Sequence, residues 1–248
     1  MRIGVISDIH GNMEALSAVM RDIEAQECDK VFVLGDYAMA GPNPEIVVDW
    51  FMERKNDPKF TLIQGNTDLM IADYNEEMYE SLKGLAPVMA EALKYDAELL
   101  TNVQKSFLKE LPMQLEVQEG GVKILLVHGS PRKNNEDILP DTPMETVEEM
   151  LVNVEAPVVL CGHTHIPCGF QTTKKQTVVN VGSVGRPFTE KPQACWLRLT
   201  IEDDGKCIFE HRFVKYEKEI AADAMRKQKF VGAEKLAQTL LEPKMRHF

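Results

Sequence analysis

The chain has 248 residues, of which 44% are hydrophobic and 27% are charged, an ordinary composition for a soluble globular protein. A chain of this length can bury a sizeable core in one large domain, which excludes disordered and fibrous classes. Its 39 acidic and 28 basic residues give a formal net charge of −11. A surface this acidic repels phosphate backbones, which argues against stable nucleic-acid binding. An anionic substrate would therefore need a local cation.

Cysteine usage and the N-terminus point to a cytoplasmic protein. The five cysteines are scattered and form no CxxC pair, which argues against a disulfide framework or a structural zinc site. The N-terminal residues become polar too quickly for a signal peptide. No apolar run approaches the 18 or so residues that a membrane helix needs, so we expect no membrane contact.

Five short apolar runs predict buried strands, and a potential metal ligand follows each of them. The runs and the residues after them are Arg2–Ser7 before Asp8, Lys30–Gly35 before Asp36, Phe60–Gly65 before Asn66, Val122–Val127 before His128, and Pro157–Gly162 before His163. Near-continuous apolarity is typical of strands that are buried on both faces. Amphipathic spacing over 12–27 and 44–55 predicts helices between the first three runs. This alternation indicates helices packed on a largely parallel sheet.

Helical periodicity without a strand signal continues over residues 69–116, which predicts a helical insertion that covers the site or enlarges the core. After residue 165 the sequence pattern changes to shorter predicted strands. Later strands are predicted at Gln176–Val181, Ala194–Ile201 and Lys206–Val214. The turn Asp203-Asp204-Gly205 favours a hairpin, and residues 217–241 read as one or two amphipathic helices. We expect a single α/β domain over 1–248.

Four of the six histidines lie in tight polar clusters at predicted strand ends. Asp8-Ile9-His10 places a carboxylate and an imidazole two residues apart, and Gly162-His163-Thr164-His165 does the same with two imidazoles. Taken alone, each cluster also has a structural interpretation: a loop-capping aspartate with a surface histidine, a plain turn at Gly65-Asn66-Thr67-Asp68, or a pair of loop histidines. Together, five strand ends that carry oxygen or nitrogen donors predict a metal site at the carboxyl edge of the sheet.

These motifs together resemble the five-block signature of the calcineurin-like metallophosphoesterases. The blocks are Asp8-Ile9-His10-Gly11-Asn12, Gly35-Asp36, Gly65-Asn66-Thr67-Asp68, His128-Gly129 and Gly162-His163-Thr164-His165. The segments Gly41-Pro42-Asn43-Pro44 and Asn180-Val181-Gly182-Ser183-Val184-Gly185 resemble the family's small bacterial and archaeal phosphodiesterase branch. The resemblance implies an α/β fold in which a two-layer β-sandwich is flanked by helices.

The resemblance also implies a centre of two divalent transition-metal ions. Asp8, His10, Asp36 and His165 would bind one ion, and Asp36, Asn66, His128 and His163 would bind the other. Asp36 would bridge the ions, and with Asn66 and His128 it would act in catalysis. Two cations about 3.5–4 Å apart acidify a bridging water to hydroxide for attack at phosphorus. Imidazoles mixed with carboxylates suit manganese, iron, zinc, cobalt or nickel better than calcium or magnesium.

Thr67 departs from the commonest family pattern, which has a histidine at this position that assists the leaving group. A missing general acid can cost on the order of 10²–10⁴ in rate, so activated diesters and phosphoanhydrides are the expected substrates. Asn12 is a predicted helix N-cap and a candidate substrate contact. Arg186 is a candidate phosphate contact. Asp68 either orients a metal-ligand histidine or caps a helix.

The leading hypothesis is a cytoplasmic dinuclear-metal phosphodiesterase that acts on small nucleotide-type substrates, such as cyclic nucleotides or dinucleoside polyphosphates. A protein phosphatase is a weaker alternative, because Thr67 counts against it. A non-catalytic scaffold, like the retromer subunit that shares the fold, is the alternative from another class. Such a scaffold would be expected to lose metal ligands, whereas this chain keeps all seven positions.

Overall fold

The computed structural model describes residues 1–242, and this part of the chain forms two five-stranded sheets with helices packed outside them. The strands are β1 Arg2–Ile6, β2 Lys30–Val33, β3 Phe60–Leu62, β4 Gln114–Glu119, β5 Val122–Val127, β6 Val158–Cys161, β7 Cys168–Gln171, β8 Thr177–Asn180, β9 Ala194–Ile201 and β10 Cys207–Val214. The helices are α1 Met13–Ala25, α2 Pro44–Met52, α3 Asn66–Ala72, α4 Glu76–Leu85, α5 Pro87–Leu99, α6 Asn102–Glu110, α7 Met144–Met150, α8 Lys218–Arg226 and α9 Ala233–Leu241.

The topology of both sheets is mixed, with a parallel centre. The first sheet has the order β10-β9-β1-β2-β3, in which β1, β2 and β3 are parallel. The second has the order β4-β5-β6-β8-β7, in which β5, β6 and β8 are parallel. Parallel neighbours end at the same edge of a sheet, so each sheet presents several strand ends together. The α/β sandwich predicted from the motifs is confirmed.

The core lies in layers on both faces of each sheet, which explains why the strands are apolar almost throughout. In β1, Ile3 and Val5 pack between the two sheets, whereas Ile6 packs under the outer helices. A further layer, which includes Val147 of α7, covers the outer face of the second sheet. Burying one such aliphatic side chain contributes about 1.5–3 kcal/mol. The two sheets are therefore rigidly joined, and their strand ends are held in place.

The predicted helical stretch 69–116 is mostly helical, but its last residues already belong to a strand. Helices α4, α5 and α6 pack on the outer face of the first sheet, where Leu93 and Phe107 join the buried core. Gln114 begins β4, an edge strand whose side chains are largely exposed. Polar residues on such a strand weaken the hydrophobic pattern that sequence reasoning relies on. The division into one domain with an insertion stays a prediction.

None of the helices in residues 1–242 is long and apolar enough to cross a membrane.

Candidate metal centre

Six of the seven predicted ligands come together where β1, β2, β3, β5 and β6 end. The seventh, His163, lies beside them with its Nε2 3.3 Å from Oδ1 of Asp137. The first group consists of Asp8, His10 and His165, and the second of Asp8, Asp36 and His128, with each set of donor atoms mutually within 4.8 Å. Asn66, the first residue of α3, reaches the second group, because its Oδ1 lies 3.0 Å from Nε2 of His128. The ring of His163 is centred 5.3 Å from the ring of His128.

The backbone around these ligands is held in the left-handed region, which non-glycine residues rarely adopt. The φ angles are 54° at Asp8, 47° at His10, 56° at Asp36, 67° at His163 and 62° at His165. Each such residue costs roughly 1–3 kcal/mol and persists only where the surroundings enforce it. Strain of this kind accumulates at functional sites, so it supports assigning this cluster as the site.

Glycines beside the ligands allow the strand ends to approach one another. A Cβ on Gly162 would lie 2.1 Å from Oγ of Ser7 and 2.6 Å from Oδ2 of Asp8. A Cβ on Gly65 would lie 2.1 Å from Oδ1 of Asp36. Real atoms do not approach this closely, so the glycine in each motif is required by contact with a predicted ligand.

In the first group, two imidazole rings face each other with their Nε2 atoms. These atoms of His10 and His165 are 3.1 Å apart, and Oδ1 of Asp8 lies 3.9 Å and 3.2 Å from them, respectively. Nδ1 of His10 donates to the Met39 carbonyl at 2.8 Å, and Nδ1 of His165 donates to the Arg186 carbonyl at 2.6 Å. A carbonyl only accepts, so each Nδ1 carries a proton, and in the neutral form of either ring the lone pair of Nε2 faces inward.

In the second group, His128 faces two carboxylates. Its Nε2 lies 3.3 Å from Oδ2 of Asp36 and 3.9 Å from Oδ1 of Asp8, while its Nδ1 donates to the Leu34 carbonyl at 2.7 Å. Oδ2 of Asp36 is also 3.7 Å from Nε2 of His10. Asp36 thus reaches a histidine of each group, although the carboxylate that belongs to both groups is Asp8. The bridging role of Asp36 stays a prediction.

The donor set fits two divalent cations. Oδ1 of Asp8 is buried and has no hydrogen-bond partner in the described chain, although it lies close to Nε2 of both His165 and His128. A buried carboxylate oxygen without a hydrogen bond is costly. A cation among these oxygens and the inward lone pairs of His10 and His165 would remove that cost. Two buried Asp/His triads of this kind are consistent with a binuclear metal site.

Electrostatics keep the carboxylates charged. Burial raises the pKa of Asp8, but His165 and His128 outweigh it, so that its pKa falls to about 2. Burial likewise opposes ionisation of Asp36, yet His128 and His10 hold the pKa of that carboxyl well below its usual value.

His10 and His128 differ in charge. Burial, with the nearby His165, lowers the pKa of His10 to about 4, so this ring is neutral at pH 7. Burial also opposes the charged form of His128, but Asp36 and Asp8 raise its pKa to about 10. Binding of a cation there would displace a proton.

Asp68 positions the Asp36 backbone. Its Oδ2 accepts from the N–H groups of Asp36 and Gly65, both at 2.8 Å, and its Oδ1 accepts from the N–H of Tyr37 at 2.9 Å. Burial raises the pKa of this carboxyl to about 7. Of the two roles expected from the sequence, the structure shows the helix cap. The structure also shows a role that the sequence did not predict. Asp68 holds the backbone at the strand end that carries Asp36.

The two predicted substrate contacts lie next to the centre. Asn12 is fully buried, where its Oδ1 caps α1 through the Ala15 N–H at 3.1 Å and its Nδ2 donates to the Gly185 carbonyl at 3.0 Å. The N-cap prediction is confirmed, and both polar ends of Asn12 are engaged by the protein. The positive charge of Arg186 contributes to the lowered pKa of His10. The substrate roles of both residues stay predictions.

Comparison with known proteins decides the family. Residues 1–204 match the family described as the Calcineurin-like phosphoesterase superfamily domain. The chain belongs to this superfamily. The resemblance read from the five motifs is thereby confirmed, and the superfamily implies a metal-dependent phosphoesterase with a phosphoester substrate.

Several similar proteins match most of the chain. An uncharacterized protein of Methanocaldococcus jannaschii is 29% identical over 231 residues, which cover 87% of this chain and 85% of that protein. The fold is similar to the crystal structure of a hypothetical protein from Pyrococcus horikoshii OT3, with a TM-score of 0.84, 25% identity and 99% of each chain covered. It is also similar to a metallophosphoesterase from Sphaerobacter thermophilus, with a TM-score of 0.76, 25% identity, and 97% and 98% of the two chains covered.

Proposed function

We propose that the protein is a dinuclear metal-dependent phosphodiesterase that hydrolyses phosphodiester or phosphoanhydride bonds of small nucleotide-type substrates. Dinucleoside polyphosphates fit this proposal better than cyclic nucleotides, because hydrolysis of a cyclic nucleotide expels a ribose alkoxide and Thr67 supplies no proton for it. One observation carries the proposal. The inward Nε2 lone pairs of His10 and His165 meet the unpartnered Oδ1 of Asp8, and the second buried triad adjoins them.

Within this proposal, each residue has a role that its position supports. Asp8, His10 and His165 would hold one cation, Asn66, His128 and His163 the other, and Asp36 would bridge them. The cations would supply Lewis acidity, which neutralises phosphoryl oxygens and acidifies a water nucleophile. They would also give an acidic chain of net charge −11 the local positive charge that an anionic substrate requires. Arg186, whose positive charge helps to lower the pKa of His10, would add a phosphate contact.

The substrate preference follows from Thr67. Its side chain is 7% exposed, and its hydroxyl donates to the Ala38 carbonyl at 3.4 Å. A hydroxyl does not protonate a leaving group near neutral pH, because its pKa is far too high for general acid catalysis. Substrates whose leaving groups depart without a proton, such as activated diesters and phosphoanhydrides, are therefore favoured. The same argument disfavours a protein phosphatase, which must expel an alkoxide.

A screen of the purified protein with manganese, iron, zinc, cobalt or nickel tests the proposal. Aryl phosphodiesters, dinucleoside polyphosphates, cyclic nucleotides and phosphomonoesters serve as substrates. We expect bound metal and turnover of diesters or anhydrides above that of alkyl monoesters. Bound metal with preference for alkyl monoesters would contradict the substrate class. Absence of both metal and turnover would favour the scaffold.

A further inference from the structure

Asp96 of α5 is a buried carboxyl outside the metal centre. It is fully buried, and its Oδ2 accepts a hydrogen bond of 3.0 Å from the Ala40 N–H. Burial, with the nearby Glu45 of α2, raises its pKa to about 8, although the N–H groups of Ala40 and Met39 favour the charged form. A buried carboxyl is costly. Its position beside the backbone of Met39 and Ala40 therefore needs a physical reason.

The hydrogen bond from Ala40 leads directly to a predicted metal ligand. The Ala40 N–H and the Met39 carbonyl belong to one peptide group. Asp96 accepts from the N–H end of that group, and Nδ1 of His10 donates to its carbonyl end at 2.8 Å. Carboxyl, peptide group and imidazole thus form a continuous hydrogen-bonded chain, in which each bond polarises the next.

The peptide group needs an external anchor. Met39 and Ala40 both have left-handed backbones, with φ angles of 76° and 59°, which non-glycine residues adopt only under constraint. The carbonyl direction of Met39 decides which nitrogen of His10 carries the proton, and therefore whether Nε2 presents a lone pair to a cation.

We propose that Asp96 is a positioning residue for His10, acting through the Met39–Ala40 peptide group. The inference deepens the proposed metal centre and rests on it. It also gives α5, within the helical stretch predicted at 69–116, a definite part in building that centre. Loss of the group that holds a ligand's second ring nitrogen typically changes metal affinity by about 10–100-fold, and removal of Asp96 would release that group, the Met39 carbonyl.

Three variants separate positioning from general stability. Asp96→Ala removes the acceptor and leaves the Ala40 N–H buried without a partner. Asp96→Asn keeps one acceptor oxygen in the same place without the acid. Leu93→Ala is the matched control, because Leu93 lies on the same helix and is equally buried in the core. If Asp96→Ala does not fold, Asp96→Ser is measured in its place.

Two readouts are used on the full-length chain: manganese affinity by calorimetry, and the tautomer of His10 by ¹⁵N NMR of the EDTA-treated protein. We expect Asp96→Ala to weaken manganese binding by about 10–100-fold and to lose the Nδ1–H signature of His10. Asp96→Asn and Leu93→Ala should keep both, while Leu93→Ala lowers the thermal midpoint.

The proposal is overturned if Asp96→Ala keeps wild-type affinity and the His10 signature, or if Leu93→Ala or Asp96→Asn loses as much affinity as Asp96→Ala. If the wild type itself binds no manganese, the proposed function fails. The NMR comparison then still decides whether Asp96 orients His10.

Discussion

Nε2 of His10 lies 3.1 Å from Nε2 of His165, and each ring donates its Nδ1 proton to a backbone carbonyl. Two lone pairs at this distance repel each other unless a cation or an added proton lies between them. Cation binding should therefore stabilise the folded state, by about 2.7 kcal/mol at 100 times Kd. Thermal unfolding with manganese and with EDTA measures this effect. Equal midpoints in the two conditions would refute it.

Asp36→Asn should abolish hydrolysis while the fold persists. The substitution keeps Oδ1, which accepts the Thr67 N–H at 2.9 Å, but removes the charge between the two ligand groups. Loss of an outer-shell partner typically costs 10–100-fold in metal affinity, so loss of this ligand should exceed about 100-fold. Asp73→Asn, at an exposed aspartate, is the control. Full activity of Asp36→Asn would rule out the bridging role.

Alanine at two glycines should act in opposite directions. At Gly162 a Cβ would meet Ser7 and Asp8 within 2.6 Å, so Gly162→Ala should lower both the thermal midpoint and the manganese affinity. At Gly84, within α4, a Cβ would meet nothing within 4 Å, so Gly84→Ala should stabilise the protein by up to about 1 kcal/mol. Calorimetry of both variants checks the pair. A Gly162→Ala variant that binds manganese normally would contradict the close packing.

Asp96 should make stability depend on pH. The folded carboxyl keeps its proton up to about pH 8, whereas its ordinary pKa is 3.8. Between these values the folded state binds more protons than the unfolded state, so the free energy of unfolding falls as pH rises and levels off above about pH 8. Asp96→Asn removes this contribution.

The pH effect is measured as the difference in the free energy of unfolding between Asp96→Asn and the wild type, from thermal unfolding in EDTA at pH 5 to pH 8. The difference should grow in favour of Asp96→Asn, by at most about 1.4 kcal/mol per pH unit. Parallel curves for the two proteins would show that the proton on Asp96 is not linked to folding.

Leaving groups should decide the rate. Because Thr67 supplies no proton, hydrolysis of a series of aryl phosphodiesters should slow steeply as the pKa of the leaving phenol rises. Thr67→Ala should keep the same slope and fall within a few-fold of the wild-type rate. A rate that does not depend on the pKa of the leaving phenol, or a steeper dependence in Thr67→Ala, would indicate a general acid. Alkyl phosphates would then be expected substrates as well.

Much of the site could be read from the sequence, because its ligands follow buried strands directly. Asp8 and Asp36 follow the parallel strands β1 and β2 of the first sheet, and His128 follows β5 of the second. Parallel pairing aligns the ends of β1 and β2, and packing of the two sheets brings the end of β5 beside them. Glycine beside a ligand is a further sequence signal of the site, since the atoms around positions 65 and 162 leave no room for a Cβ.

The missed features depend on contacts that have no local pattern. The Met39 and Leu34 carbonyls fix two histidine rings, but every residue has a carbonyl. Asp96 reaches Ala40 across 56 positions, and nothing near it in the chain marks it as different from other helical acids. β4 was missed because an exposed edge strand carries polar residues such as Gln114 and Glu116.

The metal content of the purified protein tests the central claim most directly. After loading with manganese and removal of free ions, elemental analysis should find about two metals per chain, together with hydrolysis of an activated aryl phosphodiester. Asp8→Ala, which removes a carboxylate that lies beside both ligand groups, should bind fewer than two metals and show no activity. A wild-type chain that binds no divalent transition metal at neutral pH, or an Asp8→Ala variant that binds two, would contradict the account.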